Sequence, residues 1–372
     1  MRFAGVAIAL LCSLPAAAED TLWYAMSRRH TDYRIVATTD ILAADPRSGA
    51  ANAVYSDRGQ PIMLSVDNLG PVMTIAAGRL FAYAGERKYS GITKRGPADP
   101  FHAAVYELST DGSHRYRRIF VPEGEQHIRQ VFAVNRSATR LAYVNITRSI
   151  PTAKEPSHRV FVFVHDTADG TLLNKIDLSA VCTDCTPFFM RWLDDEQLLF
   201  QFEPGPDGLV DDPASRSKAG IYVMRADGAN LKRWRETIDL AFPEQGSHRR
   251  FPRDVHPWPG GLLMATVSHQ PQPGQPLIAE LFVTDDSLHT RKPIPLEHDS
   301  ETAAFRPSAS GEWIAFERFV TLRTSKPPWP ALDEIWVKHA RSGAEARIAA
   351  TAARSDTGRD RLTLIGWSAT AP

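Results

Sequence analysis

Four groups of residues in this chain have types and spacings that could do chemistry, and each implies a different function. Cys182 and Cys185 form the sequence CTDC. In an oxidising compartment that spacing suits a small disulfide loop, whereas dithiol redox chemistry needs the motif at a helix start, where the helix dipole lowers one thiol pKa. The context here is strand-rich, and zinc would need two further ligands that no second CxxC or HxxxH pattern supplies. The pair is expected as a disulfide or two idle thiols, with no metal. His248, His256, His269 and His298 fall in or beside expected loops of one stretch of chain, and scattered loop histidines are usually solvated. Asp207, Asp211 and Asp212 in PGPDGLVDD offer oxygen ligands but miss the D-x-D-x-D-G spacing of a calcium loop, so a solvated acidic loop is expected. The fourth group is a set of basic residues whose meaning depends on the fold.

Other machinery is missing from the sequence. There is no G-x-S-x-G elbow, no H-E-x-x-H and no G-x-x-x-x-G-K-S/T loop, so serine hydrolase, metalloprotease and nucleotide chemistry are not expected. No catalytic residue and no cofactor is assigned. Lys plus Arg equals Asp plus Glu at 43 each, which removes the basic excess of a nucleic-acid binder.

The amino terminus reads as an address. Met1, Arg2 and Phe3 precede an apolar run from Ala4 to Leu14, followed by Pro15, Ala16, Ala17 and Ala18 and then Glu19 and Asp20. This is the pattern of a secretory signal peptide over 1–18, cut after Ala18. Its apolar run is well under the roughly 20 residues that span a bilayer. The expectation is a periplasmic, monomeric protein of residues 19–372 with no membrane insertion.

The elements that must position these residues form a repeat. Short strands of alternating apolar residues run into polar turns ending at Gly49, Gly112, Gly170, Gly228, Leu288 and Gly343, about 59 residues apart on average. Further β-prone segments precede the later ones: RLFAYAG from Arg79, TRLAYVNI from Thr139, EQLLFQFE from Glu196, GLLMATVS from Gly261 and EWIAFERF from Glu312. Each follows another short apolar strand, such as Pro187 to Trp192 or Thr302 to Pro307. Each unit therefore reads as four short strands, with Asp-Gly and Ser-Gly supplying positive φ at the centres of hairpin turns. The expected fold is all-β, a single closed β-propeller of about six four-stranded blades. Leu362 to Ser368 reads as a first strand lacking its blade, and Thr21 to Ser27 as a second strand lacking its first, so pairing of the terminal strands is expected to close the ring.

IYVMRADGANLKRW, FRPSASGEWIAFERF and MRWLDDEQLLFQFE resemble the WD-related repeats of TolB-type propellers. The family's Ser-Pro-Asp-Gly turn is replaced by Pro307-Ser308-Ala309-Ser310-Gly311, by Leu193-Asp194-Asp195 and by Asn135-Arg136-Ser137. The resemblance covers the sequence after Ala18 and leaves no room for the amino-terminal α/β domain that TolB carries. It implies a binding propeller in the periplasm. Propeller lyases acting on uronates resemble the chain in architecture and use His clusters around a metal, which gives an alternative reading as a lyase or hydrolase of acidic polysaccharide.

In a four-stranded meander the second-to-third-strand loops share one face with the connections between blades. The expected loops on that face run 28–34, 86–101, 147–159, 204–219, 269–278 and 320–332, and together they hold more Lys and Arg than Asp and Glu. Arg28, Arg29, Arg34, Arg87, Lys88, Lys94, Arg95, Arg148, Lys154, Arg323 and Lys326 are thus expected to ring one mouth of the channel. Such a rim would steer an envelope protein or an anionic polymer to a face built of long loops.

Overall fold

The computed structural model describes residues 20–29, 36–64, 72–86, 103–123, 132–148, 158–179, 181, 185–204, 220–236, 252–258, 261–269, 278–284, 291–296, 304–322, 330–354 and 360–369. These residues form strands and turns, with no helix among them. In chain order, β1 (Asp20–Arg29), β2 (Val36–Ala44) and β3 (Ala51–Ser56) belong to blade one. Blade two holds β4 (Ile62–Met63), β5 (Val72–Ala76), β6 (Arg79–Glu86), β7 (Ala103–Leu108) and β8 (Tyr116–Phe120). Blade three holds β9 (Phe132–Val134), β10 (Arg140–Arg148), β11 (His158–Asp166) and β12 (Leu172–Asp177). Blade four holds β13 (Cys185–Trp192), β14 (Gln197–Pro204), β15 (Gly220–Arg225) and β16 (Lys232–Glu236). Blade five holds β17 (Pro252–Trp258), β18 (Gly261–His269), β19 (Ile278–Thr284) and β20 (Arg291–Ile294). Blade six holds β21 (Phe305–Pro307), β22 (Trp313–Thr321), β23 (Ala331–His339) and β24 (Glu345–Ala350), and β25 (Arg361–Ala369) returns to blade one.

The sheets are antiparallel meanders, and the chain is a six-bladed β-propeller. Blade one has the order β25-β1-β2-β3, with register running from Asp20 opposite Ala369 to Ser27 opposite Arg361. The terminal strands therefore close the ring as the sequence implied. The Trp23 indole donates to the Ser368 hydroxyl at 2.7 Å across that seam, and the Ser310 hydroxyl of blade six donates to the Asp20 carboxylate. Innermost strands contact one another all the way round, from β25 through β5, β9, β13, β17 and β21 back to β25. Blade two departs from the four-strand pattern, because β4 and β5 divide the innermost position between them along β6. The strand expected from Thr302 begins at Phe305.

The core explains the sequence pattern. Six apolar clusters occur among the described residues, one at each interface between successive blades. Leu22 and Tyr24 pack toward blade six while Trp23 and Ala25 pack toward blade two. Both faces of a blade are thus buried, and the middle strands read as almost unbroken apolar runs rather than strict alternation. Burying one aliphatic or aromatic side chain contributes about 1.5–3 kcal/mol, so every interface has many contributors. Two tryptophans staple blades at equivalent positions: Trp192 donates to the Ala133 carbonyl at 3.0 Å, and Trp367 to the Arg306 carbonyl at 2.7 Å.

The replaced Ser-Pro-Asp-Gly turns keep their job with other donors and acceptors. The Asn135 side-chain oxygen accepts from the Thr139 and Arg140 amides, that of Asp194 from the Glu196 and Gln197 amides, and the Ser308 hydroxyl from the Trp313 amide. The outer turns differ from the expected tight hairpins. Gly49, Gly170 and Gly343 each close a longer turn, donating to the carbonyl four residues back, and take positive φ at its end rather than its centre. Two outer turns touch the preceding blade: a Cβ on Gly170 would lie 2.3 Å from the Ile119 carbonyl oxygen, and one on Gly228 would meet Ile176.

His165 fills the seam between blades two and three. It is 4% exposed, its ring stacks on Phe120 with centroids 3.8 Å apart, and its Nδ1 lies 3.0 Å from the Gly170 carbonyl, which requires the proton on Nδ1. Nε2 is buried with no partner. Burial lowers the His165 pKa below its usual value, against the opposing pull of the Gly170 carbonyl.

Two outcomes follow from these interfaces. Gly170→Ala combines a disfavoured φ with a clash against backbone, whereas Gly112→Ala has similar φ and open space. Urea unfolding should place Gly170→Ala at least about 2 kcal/mol below Gly112→Ala; equal losses would contradict the blade contact. Because folded His165 binds a proton less readily than unfolded His, its stabilising contribution is complete above about pH 6.5 and declines as pH falls, by at most about 1.4 kcal/mol per pH unit. His165→Phe should flatten that decline between pH 7 and 5, and an unchanged slope would rule His165 out as its source.

Candidate functional site

Antiparallel pairing sorts the two ends of the barrel of blades. The turns from innermost to second strand and from third to outermost strand lie at one end, here called the turn end. Connections from second to third strand and from blade to blade lie at the other, the loop end. Glycine and capped polar turns keep the turn end short, so the residues available for recognition concentrate at the loop end.

The expected cationic rim is placed in part. Arg28 and Arg29 lie on β1 and Arg148 ends β10, so these three stand on strands at the loop end rather than in loops. Arg28 is half exposed and lies 3.3 Å from the Asp40 carboxylate, which also accepts the Ser56 hydroxyl at 2.6 Å. Part of its charge is thus answered within blade one. Arg34, Arg87, Lys88, Lys94, Arg95, Lys154, Arg323 and Lys326 lie outside the described residues, as do His248, His298, Asp207, Asp211 and Asp212. Cys185 opens β13 opposite Pro204, while Cys182 lies outside the described residues.

His256 corrects the loop assignment. It sits on β17, an innermost strand, and is 7% exposed, because its neighbours Val255 and Trp258 pack into blade interfaces and carry the segment inward. Its Nε2 is 3.3 Å from Arg306 Nη1 of β21, so it accepts from the guanidinium when neutral. Arg191 on β13 holds the corresponding position one blade earlier: Arg191, His256 and Arg306 pair opposite Leu199, Leu263 and Ala315. Arg191 and Arg306 each donate at 2.7 Å to the carbonyl of the preceding residue. Arg191 and Arg306 are not singled out by the sequence, and His256 only as a loop residue, because register alone aligns the three. Among the described residues no group of His, Cys, Asp or Glu is arranged to hold a metal ion.

A groove of about 720 Å³ lies between blades one and two. One wall is the blade-to-blade connection Gly59, Gln60 and Pro61, and the other carries Glu86, Tyr106, Tyr116 and Arg118. Glu86 is the last residue of β6, so the groove reaches the loop end. Arg118 pairs directly opposite Tyr106, and Tyr116 lies two residues from Arg118, which puts all three on one face of the sheet. The two tyrosine rings meet edge to face at 5.7 Å. Burial raises the Tyr106 pKa, with the Glu86 charge adding to it and Arg118 opposing it. Among the described residues the exposed Arg118 has no ion pair or hydrogen bond.

The neighbouring cations behave differently. Arg79 donates to Glu107 at 2.7 Å, to the Ala138 carbonyl at 2.7 Å and to the Thr167 hydroxyl at 3.1 Å, and Arg117 binds Glu107 at 2.7 Å and the Ala168 carbonyl at 2.6 Å. Arg79 foremost, joined by Arg117, holds the Glu107 carboxyl below the usual carboxylate range. These cations tie blade two to blade three at the turn end.

No protein-family model matches the chain, and no curated protein matches it. Among solved structures it is similar to a proposed TolB from Agrobacterium tumefaciens, at 10% identity over 93% of this chain and 98% of that one, with a TM-score of 0.50. A nidogen/laminin complex aligns at 9% identity over 94% and 98%, with a TM-score of 0.49. An oligogalacturonate lyase in complex with manganese aligns at 13% identity over 88% and 78%, with a TM-score of 0.44. At these identities the likeness concerns the propeller fold alone.

The contrast between the arginines is measurable. Arg118→Gln should leave the unfolding free energy within about 0.5 kcal/mol of the parent, while Arg79→Gln should cost about 1–2 kcal/mol by removing charge-assisted hydrogen bonds between blades two and three. Equal effects in thermal or urea unfolding would assign Arg118 a structural role.

Proposed function

We propose that the protein is an exported, non-catalytic β-propeller that binds an anionic envelope polymer or an acidic protein surface at its loop end. The observation that carries this reading is topological. Every second-to-third-strand connection leaves its blade at that end, and those segments hold more Lys and Arg than Asp and Glu in a chain whose Lys plus Arg equals its Asp plus Glu. At the turn end, Arg79, Arg117 and the buried Lys338, 3.0 Å from Glu345, are engaged by neighbouring groups. Second-to-third-strand loops with excess cations on a rigid ring would raise the local concentration of anionic ligands and show strong ionic-strength dependence. The periplasm is the compartment this reading requires, reached by cleavage after Ala18.

Replacing Arg87, Lys88, Lys94 and Arg95 together by Glu tests it. Biosensor binding of the mature protein to immobilised alginate and to poly-L-glutamate should weaken at least 10-fold for the variant and fall steeply for the parent between low and moderate salt. Unchanged binding by the variant would remove the loop cations from the interface. Turnover of an acidic oligosaccharide by the parent would overturn the non-catalytic assignment, and a mature protein not beginning at Glu19 would overturn the cleavage site.

A further inference from the structure

The groove between blades one and two carries a ligand chemistry of its own, and this inference deepens the reading of the loop end as an anion-binding face. We propose that the groove is a subsite for one end or branch of a uronate-containing glycan, with Arg118 binding the sugar carboxylate and Tyr116 underlying the ring.

The argument starts from what the groove offers. Its volume of about 720 Å³ lies in the range of small-ligand sites and suits a short oligosaccharide. Tyr116 is only partly buried on β8 and presents aromatic surface within the groove, and Tyr106 closes the space behind it. A pyranose has an apolar C–H face that covers such a ring, and hydroxyls round its rim that both donate and accept. The opposite wall carries Gln60 and the near wall Glu86, each of which already has partners of its own. Arg118 lies opposite Tyr106 on the adjacent strand, with its guanidinium engaged by no described residue. A guanidinium so placed can meet a carboxylate with two parallel hydrogen bonds, which a neutral sugar lacks. An acidic peptide would use Arg118 equally but brings no flat face of C–H groups to cover Tyr116.

The groove is also built rather than left over. Blade two breaks the repeat twice at this place: its innermost strand is divided, and its outer turn carries His114, whose ring packs tilted against Tyr55 of blade one at 5.6 Å and accepts the Ser56 amide at 3.2 Å. Those contacts fix the end of β3, from which the connection through Gly59, Gln60 and Pro61 departs along the groove.

The test uses the mature full-length protein and alginate-derived hexuronate trimers, with cellotriose and poly-L-glutamate as comparisons, read by calorimetry and by tyrosine fluorescence. The parent should bind the trimer, with cellotriose at least 10-fold weaker. Arg118→Gln should lose at least 10-fold for the trimer and little for cellotriose, and Tyr116→Leu should weaken both. The loop variant with Glu at 87, 88, 94 and 95 should keep trimer binding while losing long alginate chains, which separates this subsite from the loop rim. Trimer binding that is absent in the parent, or indifferent to Arg118→Gln, overturns the subsite whether or not long alginate still binds. Poly-L-glutamate bound as tightly as the trimer, with the same dependence on Arg118 and Tyr116, overturns the glycan assignment.

Discussion

The structure depends on burying both faces of every blade against its neighbours. A single four-stranded sheet of this size has two apolar faces, and only a circular stack covers them all. The six clusters, one per interface, are the physical reason the chain closes: omit one contact and two sheets expose Tyr, Phe and Leu side chains to water. The pairing of β25 with β1 meets that constraint by hydrogen bonds, since the blade that would otherwise be an open seam is made from both ends of the described chain.

That constraint divides the labour between ends. At the turn end, the outer turns of blades three and four come close to the blade before them at Gly170 and Gly228, and Arg79 and Arg117 contact carbonyls of blade three. Polar groups there are part of the packing. Connections at the loop end differ in length and charge from blade to blade.

Departures from the repeat are informative in the same way. Blade two divides its innermost strand and inserts His114 into its outer turn, and the groove lies at that interface. Among the described residues, other interfaces are joined by tryptophan hydrogen bonds, by Arg79 and Arg117, and by apolar contact. A propeller acquires a side groove where one interface is released from the common pattern.

The sequence by itself determined the all-β class, the six units, the positions of the outer glycine turns and the closure through the terminal strands. It could do so because these follow from local periodicity and from glycine's tolerance of positive φ, both written in neighbouring residues. It also identified the loop end, since alternation of turns is a property of any meander. It did not place His256 on an inner strand, where neighbouring apolar residues carry it, nor align Arg191, His256 and Arg306, nor separate the engaged Arg117 from its neighbour Arg118. Adjacent residues on a strand point to opposite faces, and which face meets another blade is decided by register and by the packing of sheets distant in sequence. The groove belongs wholly to tertiary structure: Gln60, Glu86, Tyr106 and Arg118 come from four separate segments, and only the meeting of two blades gives them a common chemistry.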